Sequence, residues 1–344
     1  MKKIALILGI TGQDGSLLAN YLLSKNYQVI GGARNFSQKN IWRLEYLKIH
    51  KKIKIYEFNI GNKKNIDLIL KENLPCEIYF LAGESRTYNS FANPKKVIFE
   101  AVSSLTVLLG SCLVYAPLAK IFIASSSEIY GDFKGKASEQ TKYNPLNPYG
   151  IGKQNIVQLA KLYRDFHGLN LYLGIMFNHE SFLRSSHFVT KKIIYNLCKI
   201  KLYGGNPISL GNIYMKRDWT DARDMVKGIH AMVQTNKSDN YVLGSENLHS
   251  IKDFFVHAAQ TLDYDPVFNK KGLDEFCICK KTGQKLMTIN PKYFRVNDLN
   301  NLYADSTKAK TDFSWEPKIS FSKMIEDMID EELHCLKNNI VLGA

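Results

Sequence analysis

Lys3-Ile4-Ala5-Leu6-Ile7-Leu8 runs directly into Gly9-Ile10-Thr11-Gly12-Gln13-Asp14-Gly15-Ser16. A short, unbroken apolar run reads as a strand buried on both faces, and Leu17, Leu18, Tyr21 and Leu22 begin a helical pattern just after the glycines. Strand, glycine turn and helix in that order set a helix N-terminus, with its unpaired N–H groups, against a pyrophosphate. The glycine spacing is G-x-x-G-x-x-G. It serves a tight turn, close approach of backbone to phosphate, and close helix-to-strand packing, so Gly9, Gly12 and Gly15 are candidate dinucleotide contacts.

Outward from that stretch, short β-rich runs near 28–32, 53–57, 77–82 and 119–125 alternate with helical periodicity near 15–25, 63–73 and 97–115. Parallel strands need crossovers, most often helices, so this alternation predicts an α/β fold with a doubly wound parallel sheet. The loops near 83–94 and 126–148 follow its fourth and fifth strands and fall at the carboxyl edge, where ligands bind. The second half predicts strands near 170–176 and 240–243, helices near 188–202, 250–262 and 320–336, and an irregular stretch from about 265 to 305. The expected division is a dinucleotide-binding domain over 1–176 plus about 213–247, and a smaller, discontinuous lobe over 177–212 and about 248–344.

The chain has 344 residues, 45% of them hydrophobic, enough for a substantial core. Its net charge of +14 comes from scattered lysines with no basic-aromatic block, which favours a solvated surface and an anionic small-molecule substrate over nucleic acid. Met1-Lys2-Lys3 and the apolar run after it read as strand one, not a secretory leader. No stretch is expected to approach the roughly 20 apolar residues of a membrane span. Six cysteines without a disulfide framework or paired zinc spacing predict free thiols, no metal and a cytoplasmic protein.

The second strand ends Val29-Ile30-Gly31-Gly32-Ala33-Arg34-Asn35, with no acid placed to hold a ribose 2′-hydroxyl. Arg34 instead suits a 2′-phosphate, aided by Asn35, Ser37 and Lys39, so NADP is expected over NAD. Ala124-Ser125-Ser126-Ser127-Glu128 follows strand five, and Tyr149 and Lys153 lie four apart, on one face of a helix. An ammonium beside the phenol is expected to lower its pKa and make Tyr149 a base near neutral pH, with Ser126 hydrogen-bonding the same substrate oxygen. Glu128 adds a carboxylate that a simple reductase does not need and a dehydratase does: it can take a proton next to a transient ketone and return it to a departing hydroxyl.

At these residues the chain resembles the extended short-chain dehydrogenase/reductases, whose fold is Rossmann-type, and within them the GDP-mannose 4,6-dehydratase family. The resemblance rests on Gly9-to-Ser16, Ser125-to-Gly131, Phe177-Asn178-His179-Glu180-Ser181, Phe188-Val189-Thr190, Arg217-Asp218-Trp219 and Pro291-to-Arg295. It implies catalytic roles for Ser126 (where threonine is usual), Glu128, Tyr149 and Lys153. It also implies that Thr11, Gln13, Asp14, Asn59, Ile60, Leu81, Ala82 and His179 join the dinucleotide site together with Tyr149 and Lys153. For the GDP-sugar it implies Asn178, Val189, Lys192, Gly211, Arg217 and Arg295, and a homodimer or homotetramer.

Several positions depart from the family pattern. Leu81-Ala82-Gly83-Glu84-Ser85-Arg86 replaces Leu-Gly-Ala-Gln-Ser-His, bringing Glu84, Ser85 and Arg86 to the expected hexose. Phe182-Leu183-Arg184-Ser185-Ser186 replaces Pro-Arg-Arg-Gly-Glu, Asn59 replaces an aspartate, and one arginine of a pair remains as Arg34. Besides dehydration, the residues leave open a GDP-sugar 4-epimerase or 4-ketosugar reductase, or a silent dinucleotide-binding protein.

Overall fold

A computed structural model describes residues 2–84, 87–294 and 302–340. In chain order its first half contains β1 (Ile4–Leu8), α1 (Gln13–Ser24), β2 (Gln28–Ala33), α2 (Gln38–Tyr46), β3 (Lys54–Glu57), α3 (Lys63–Asn73), β4 (Glu77–Phe80), α4 (Thr87–Ala92), α5 (Pro94–Tyr115), β5 (Lys120–Ser126), β6 (Gly135–Ala137) and α6 (Pro148–His167). β7 (Asn170–Met176), β8 (Asn178–Glu180), α7 (Val189–Tyr203), β9 (Ile208–Leu210), β10 (Lys216–Asp221), α8 (Ala222–Gln234) and β11 (Asn240–Leu243) follow. The remainder is β12 (Leu248–Ser250), α9 (Ile251–Thr261), β13 (Pro266–Asn269), β14 (Phe276–Cys279), β15 (Lys285–Ile289), β16 (Leu302–Ala304), α10 (Thr307–Phe313) and α11 (Phe321–Lys337).

Seven strands pair in the order β11-β7-β5-β4-β1-β2-β3, all parallel. Side chains alternate across it: Leu6 and Leu8 join Ile78, Phe80, Leu105, Leu108 and Ile156 on one face, while Ala5 and Ile7 join Leu18, Leu22, Tyr79, Met225 and Ile229 on the other. Each fully buried Leu or Ile contributes about 1.5–3 kcal/mol, so helices on both faces are what hold the sheet. The order reverses between β1 and β4, and their connections leave in opposite directions, opening a crevice at their carboxyl ends. Gly9 lines that crevice with φ +92, and a Cβ there would lie 2.8 Å from the Ala82 nitrogen.

A separate core gathers Ile193, Leu197, Phe254, Phe255, Met287 and Ile325 from α7, α9, β15 and α11. There the structure corrects the sequence reading, because the stretch from 265 to 305 is not irregular throughout: β13, β14 and β15 form antiparallel pairs, and β15 pairs parallel with β9. Cys277-x-Cys279 is strand alternation that turns both thiols inward, and Gly283, at φ +71, belongs to the turn that follows. All six cysteines are free.

A second correction concerns α5. By length and composition it is one helix long and apolar enough to cross a membrane. Its charges lie near its start, at Lys95, Lys96 and Glu100, and the face carrying Leu105, Leu108, Leu109 and Cys112 covers the sheet.

Candidate active site

The glycine loop is held by its own backbone: Gly9 N–H donates to the Gly32 carbonyl (2.9 Å) and Gly12 N–H to the Gly9 carbonyl (3.0 Å). Gly12 is the N-cap of α1 and contributes no side-chain cap, which leaves the first N–H groups of the helix available to an anion. Gly15 is enforced by packing, since a Cβ would meet the Gly9 carbonyl oxygen at 2.3 Å. A cradle that backbone crowding keeps free of side chains, beside uncapped N–H groups, fits a dinucleotide pyrophosphate. Leu81 N–H donates to the Leu8 carbonyl (3.0 Å), bringing Leu81 and Ala82 to the opposite wall.

Gln13 and Asp14 turn toward β8 and the residues after it. Gln13 Nε2 donates to the His179 carbonyl (3.2 Å), and its Oε1 accepts from Ser181 (2.9 Å). His179 Nδ1 faces the Phe177 carbonyl at 2.7 Å, an oxygen that only accepts, so Nδ1 carries a proton; Nε2 faces Asp14 at 3.0 Å. Burial works against the Asp14 carboxylate, but the charge and hydrogen bond of His179 prevail and hold its pKa at about 2. The same pair raises His179 against its own burial.

Two arginines that the sequence reading did not assign belong here. Arg43, from α2, donates to the Thr11 carbonyl (3.0 Å) and the Leu183 carbonyl (2.8 Å), tying the glycine loop to the chain after β8. Arg184 lies 3.0 Å from Glu180, stacks 3.5 Å over the Phe188 ring, and lowers the pKa of both Asp14 and Tyr149 by its charge. It keeps the second arginine of Pro-Arg-Arg-Gly-Glu in a segment that otherwise departs from the family pattern.

Arg34 is exposed just past β2, free of the sheet core. The neighbouring Glu57 carboxylate, at the end of β3, accepts the Phe36 N–H (3.0 Å). Asn59 accepts from Gly61 N–H (3.0 Å), shaping the turn that contains Ile60.

Ser126 ends β5, and its hydroxyl accepts from Glu128 N–H (3.3 Å) as the chain turns into a short 3-10 segment over Ser127–Tyr130. α6 starts at Pro148, with Asn147 as its N-cap accepting Gly150 N–H (2.8 Å), and ends at Gly168 with φ +66. A Cβ on Gly150 would lie 2.6 Å from the Glu128 carbonyl oxygen, so glycine lets the 3-10 segment rest on the helix start. The Ser126 hydroxyl and the Glu128 charge both act on the Tyr149 phenol. Ser126, Glu128 and Tyr149 thus form one cluster, as the spacing predicts.

The electrostatics differ from expectation. Lys153 Nζ donates to the Ala124 carbonyl (2.8 Å) and lies 5.7 Å from the Tyr149 ring centre, and the phenol's pKa is raised instead of lowered. Burial pushes the Tyr149 phenol up to about 12; Glu128 adds to the rise, while Ser126 and Arg184 counter it. Burial also lowers Lys153 to about 8.

In the second lobe, Val189 opens α7, and Lys192 reaches the Ser209 carbonyl (2.6 Å) while lying 3.8 Å over the Tyr293 ring. A Cβ on Gly211 would meet the Tyr293 carbonyl oxygen at 2.4 Å, so Val189, Lys192, Gly211 and the unassigned Tyr293 share one neighbourhood. Asn178 on β8 registers with Trp219 on β10, two residues beyond Arg217. Glu84 is half-buried at the crevice end of β4. Ser85, Arg86 and Arg295 lie outside the described residues. Among the described residues, no three His, Cys, Asp or Glu side chains gather as a metal site.

The GDP-mannose 4,6 dehydratase family model matches residues 6–328. The chain belongs to the GDP-mannose 4,6-dehydratase family. The GDP-mannose 4,6 dehydratase of Drosophila melanogaster is 34% identical over 347 residues, covering 98% of this chain and 88% of that protein. That of Homo sapiens is 33% identical over 352 residues, covering 98% and 93%. Among solved structures, the UDP-glucose 4-epimerase of Thermotoga maritima superposes with a TM-score of 0.81 at 18% identity, over 97% of this chain and 99% of that one. The dTDP-glucose 4,6-dehydratase of Bacillus anthracis gives 0.77 at 20% identity, over 95% and 96%. At such identities these structures attest the Rossmann-type fold.

Proposed function

We propose that this protein dehydrates a GDP-hexose, GDP-mannose or a close relative, to the GDP-4-keto-6-deoxy-hexose, using NADP as an internal hydride carrier. The observation that carries the reading is a carboxylate, Glu128, in one cluster with Ser126 and Tyr149. A reductase or epimerase needs only the hydroxyl pair; elimination of water needs the third group.

The residue roles follow from chemistry. Tyr149 takes the C4 hydroxyl proton, and the Ser126 hydroxyl and the Arg184 charge favour the phenolate against desolvation. When bound, the dinucleotide accepts hydride from C4 and returns it to C6, so the cycle consumes no oxidant. Glu128 removes the C5 proton, made acidic by the C4 ketone, and delivers a proton to the C6 hydroxyl as it leaves as water; the proton held by Tyr149 then goes to C5 as C6 regains hydride, which restores both groups. Lys153 holds the nicotinamide ribose. Gly9, Thr11, Gly12, Gln13, Asp14, Gly15, Asn59, Ile60, Leu81, Ala82 and His179 complete the dinucleotide site, and Arg34 selects NADP. Asn178, Val189, Lys192, Gly211, Arg217 and Arg295 hold the GDP portion, with Glu84, Ser85 and Arg86 at the hexose.

We assign the dinucleotide to 1–176 with about 213–247, and the nucleotide sugar to the remaining segments. The protein is read as a cytoplasmic homodimer or homotetramer, without nucleic-acid or membrane partners. Support for self-association comes from the exposed apolar Phe99 and Val114 on α5 and Leu162 and Phe166 on α6. Incubation of GDP-mannose with the purified protein and catalytic NADP tests the function: loss of one water mass without net cofactor reduction supports it, and unchanged substrate across a panel of GDP-sugars overturns it.

A further inference from the structure

Asn147 is buried between the two halves of the catalytic cluster, and both ends of its amide are engaged. Its Oδ1 accepts the Gly150 N–H at 2.8 Å, and its Nδ2 donates to Glu128 Oε2 at 2.7 Å. The amide orientation is fixed by chemistry: a backbone N–H only donates, so the atom facing Gly150 is oxygen and the atom facing the carboxylate is nitrogen. One side chain therefore caps the helix that presents Tyr149 and Lys153 and, by its other end, grips the carboxylate assigned to the C5 proton.

We infer that Asn147 is a positioning residue for Glu128, locking the acid/base carboxylate to the N-terminus of α6 so that the proton acceptor and the phenol keep a fixed geometry. The inference rests on the dehydratase reading. The donated hydrogen bond favours the carboxylate form and leaves Glu128 Oε1 outside this contact. A non-ionisable donor does this without adding a titrating group to a neighbourhood that already holds Glu128 and Tyr149, with Arg184 and Asp14 acting on Tyr149 by charge.

A helix cap alone makes a different prediction from a cap that also steers Glu128. Asn147→Asp keeps shape and capping, since Asp and Asn are comparable N-caps, but turns an oxygen toward Glu128. The expected result is a melting temperature near wild type, a kcat lower by about 10- to 100-fold with KM little changed, and an acidic limb of the kcat–pH profile moved to higher pH. The isotope effect from deuterium at C5 of the substrate should grow relative to that at C4, because only the step that uses Glu128 is slowed. Asn147→Ser, also a good cap, should lower kcat without moving the acidic limb as far.

Titration of the Glu128 carboxyl by carbon NMR in the substrate-free protein gives a readout apart from turnover, and it should move to higher pH in Asn147→Asp. Variants that fold with unchanged kcat, pH profile and isotope effects would overturn the inference and leave Asn147 a cap. So would a loss of kcat with equal C4 and C5 isotope effects and an unmoved Glu128 titration. Failure of the wild-type protein to release water would instead overturn the dehydratase reading, and the NMR titration would still test the contact.

Discussion

Adding one methyl group to each of two glycines in the same loop should separate folding from dinucleotide binding. In Gly15→Ala the new Cβ would lie 2.3 Å from the Gly9 carbonyl oxygen, 2.7 Å from Ile10 Cα and 2.9 Å from the Gly9 carbonyl carbon. All three are backbone atoms, so relief requires α1 to move away from the loop. Overpacking of this kind costs about 1–3 kcal/mol, against a helix-propensity gain of at most about 1 kcal/mol. In Gly12→Ala the nearest atom is the Gly9 carbonyl oxygen at 3.3 Å, and the N-cap backbone, with φ −75 and ψ 170, accepts an L-residue. That methyl meets little within the protein but occupies the approach to the uncapped N–H groups. Thermal melts and calorimetric titration with NADP should show Gly15→Ala melting lower by a few degrees, and Gly12→Ala melting near wild type yet binding at least about tenfold more weakly. Equal loss of stability in both, or wild-type binding by Gly12→Ala, would refute the assignment of this loop to the pyrophosphate.

Glu128→Gln keeps the side chain's shape and an oxygen for Asn147 Nδ2, and is expected to lower kcat for water loss by about 10²- to 10⁴-fold, or about 3–5 kcal/mol, with little change in melting; full turnover would favour the epimerase or reductase reading. Arg34→Ala should weaken NADP about tenfold and leave NAD unaffected, as measured by titration with each. The Asp14–His179 pair has a definite pH signature. Asp14 is depressed to about 2, so its contribution is present above the ordinary carboxylate pKa and is lost as pH falls through about 2; His179 is raised, so its contribution is present below the ordinary histidine pKa and is lost as pH rises through its raised value. The melting-temperature gap between wild type and Asp14→Asn should therefore be wider near about pH 6 than near about pH 9, and an equal gap at both would show that the pair does not stabilise the fold.

The central sheet was readable because its inner strands, such as Ile4–Leu8, are short apolar runs between turn residues, and because parallel strands buried on both faces need no alternation to decode. Ser126, Glu128 and Tyr149 were readable for a related reason: a strand end and a helix start are local features, and their convergence follows once the strand order is fixed. Tyr149 acidity was not readable. Helical spacing brings Lys153 to the right face, but desolvation governs the phenol and raises its pKa. The β13–β15 hairpins were not legible because they are strands of only four and five residues, with cysteines at two of the inward positions in place of the usual β-branched or aromatic residues. Arg43 carried no motif at all; only the fold brings α2 against the Thr11 and Leu183 carbonyls.

GDP-mannose carrying deuterium at C4 offers the most direct measurement, with the product analysed for the position of the label. Internal hydride transfer, with Tyr149 and Glu128 in the assigned roles, predicts a product one water lighter with deuterium at C6. Deuterium lost to solvent, left in the dinucleotide, or still at C4 of an unchanged hexose would contradict the account.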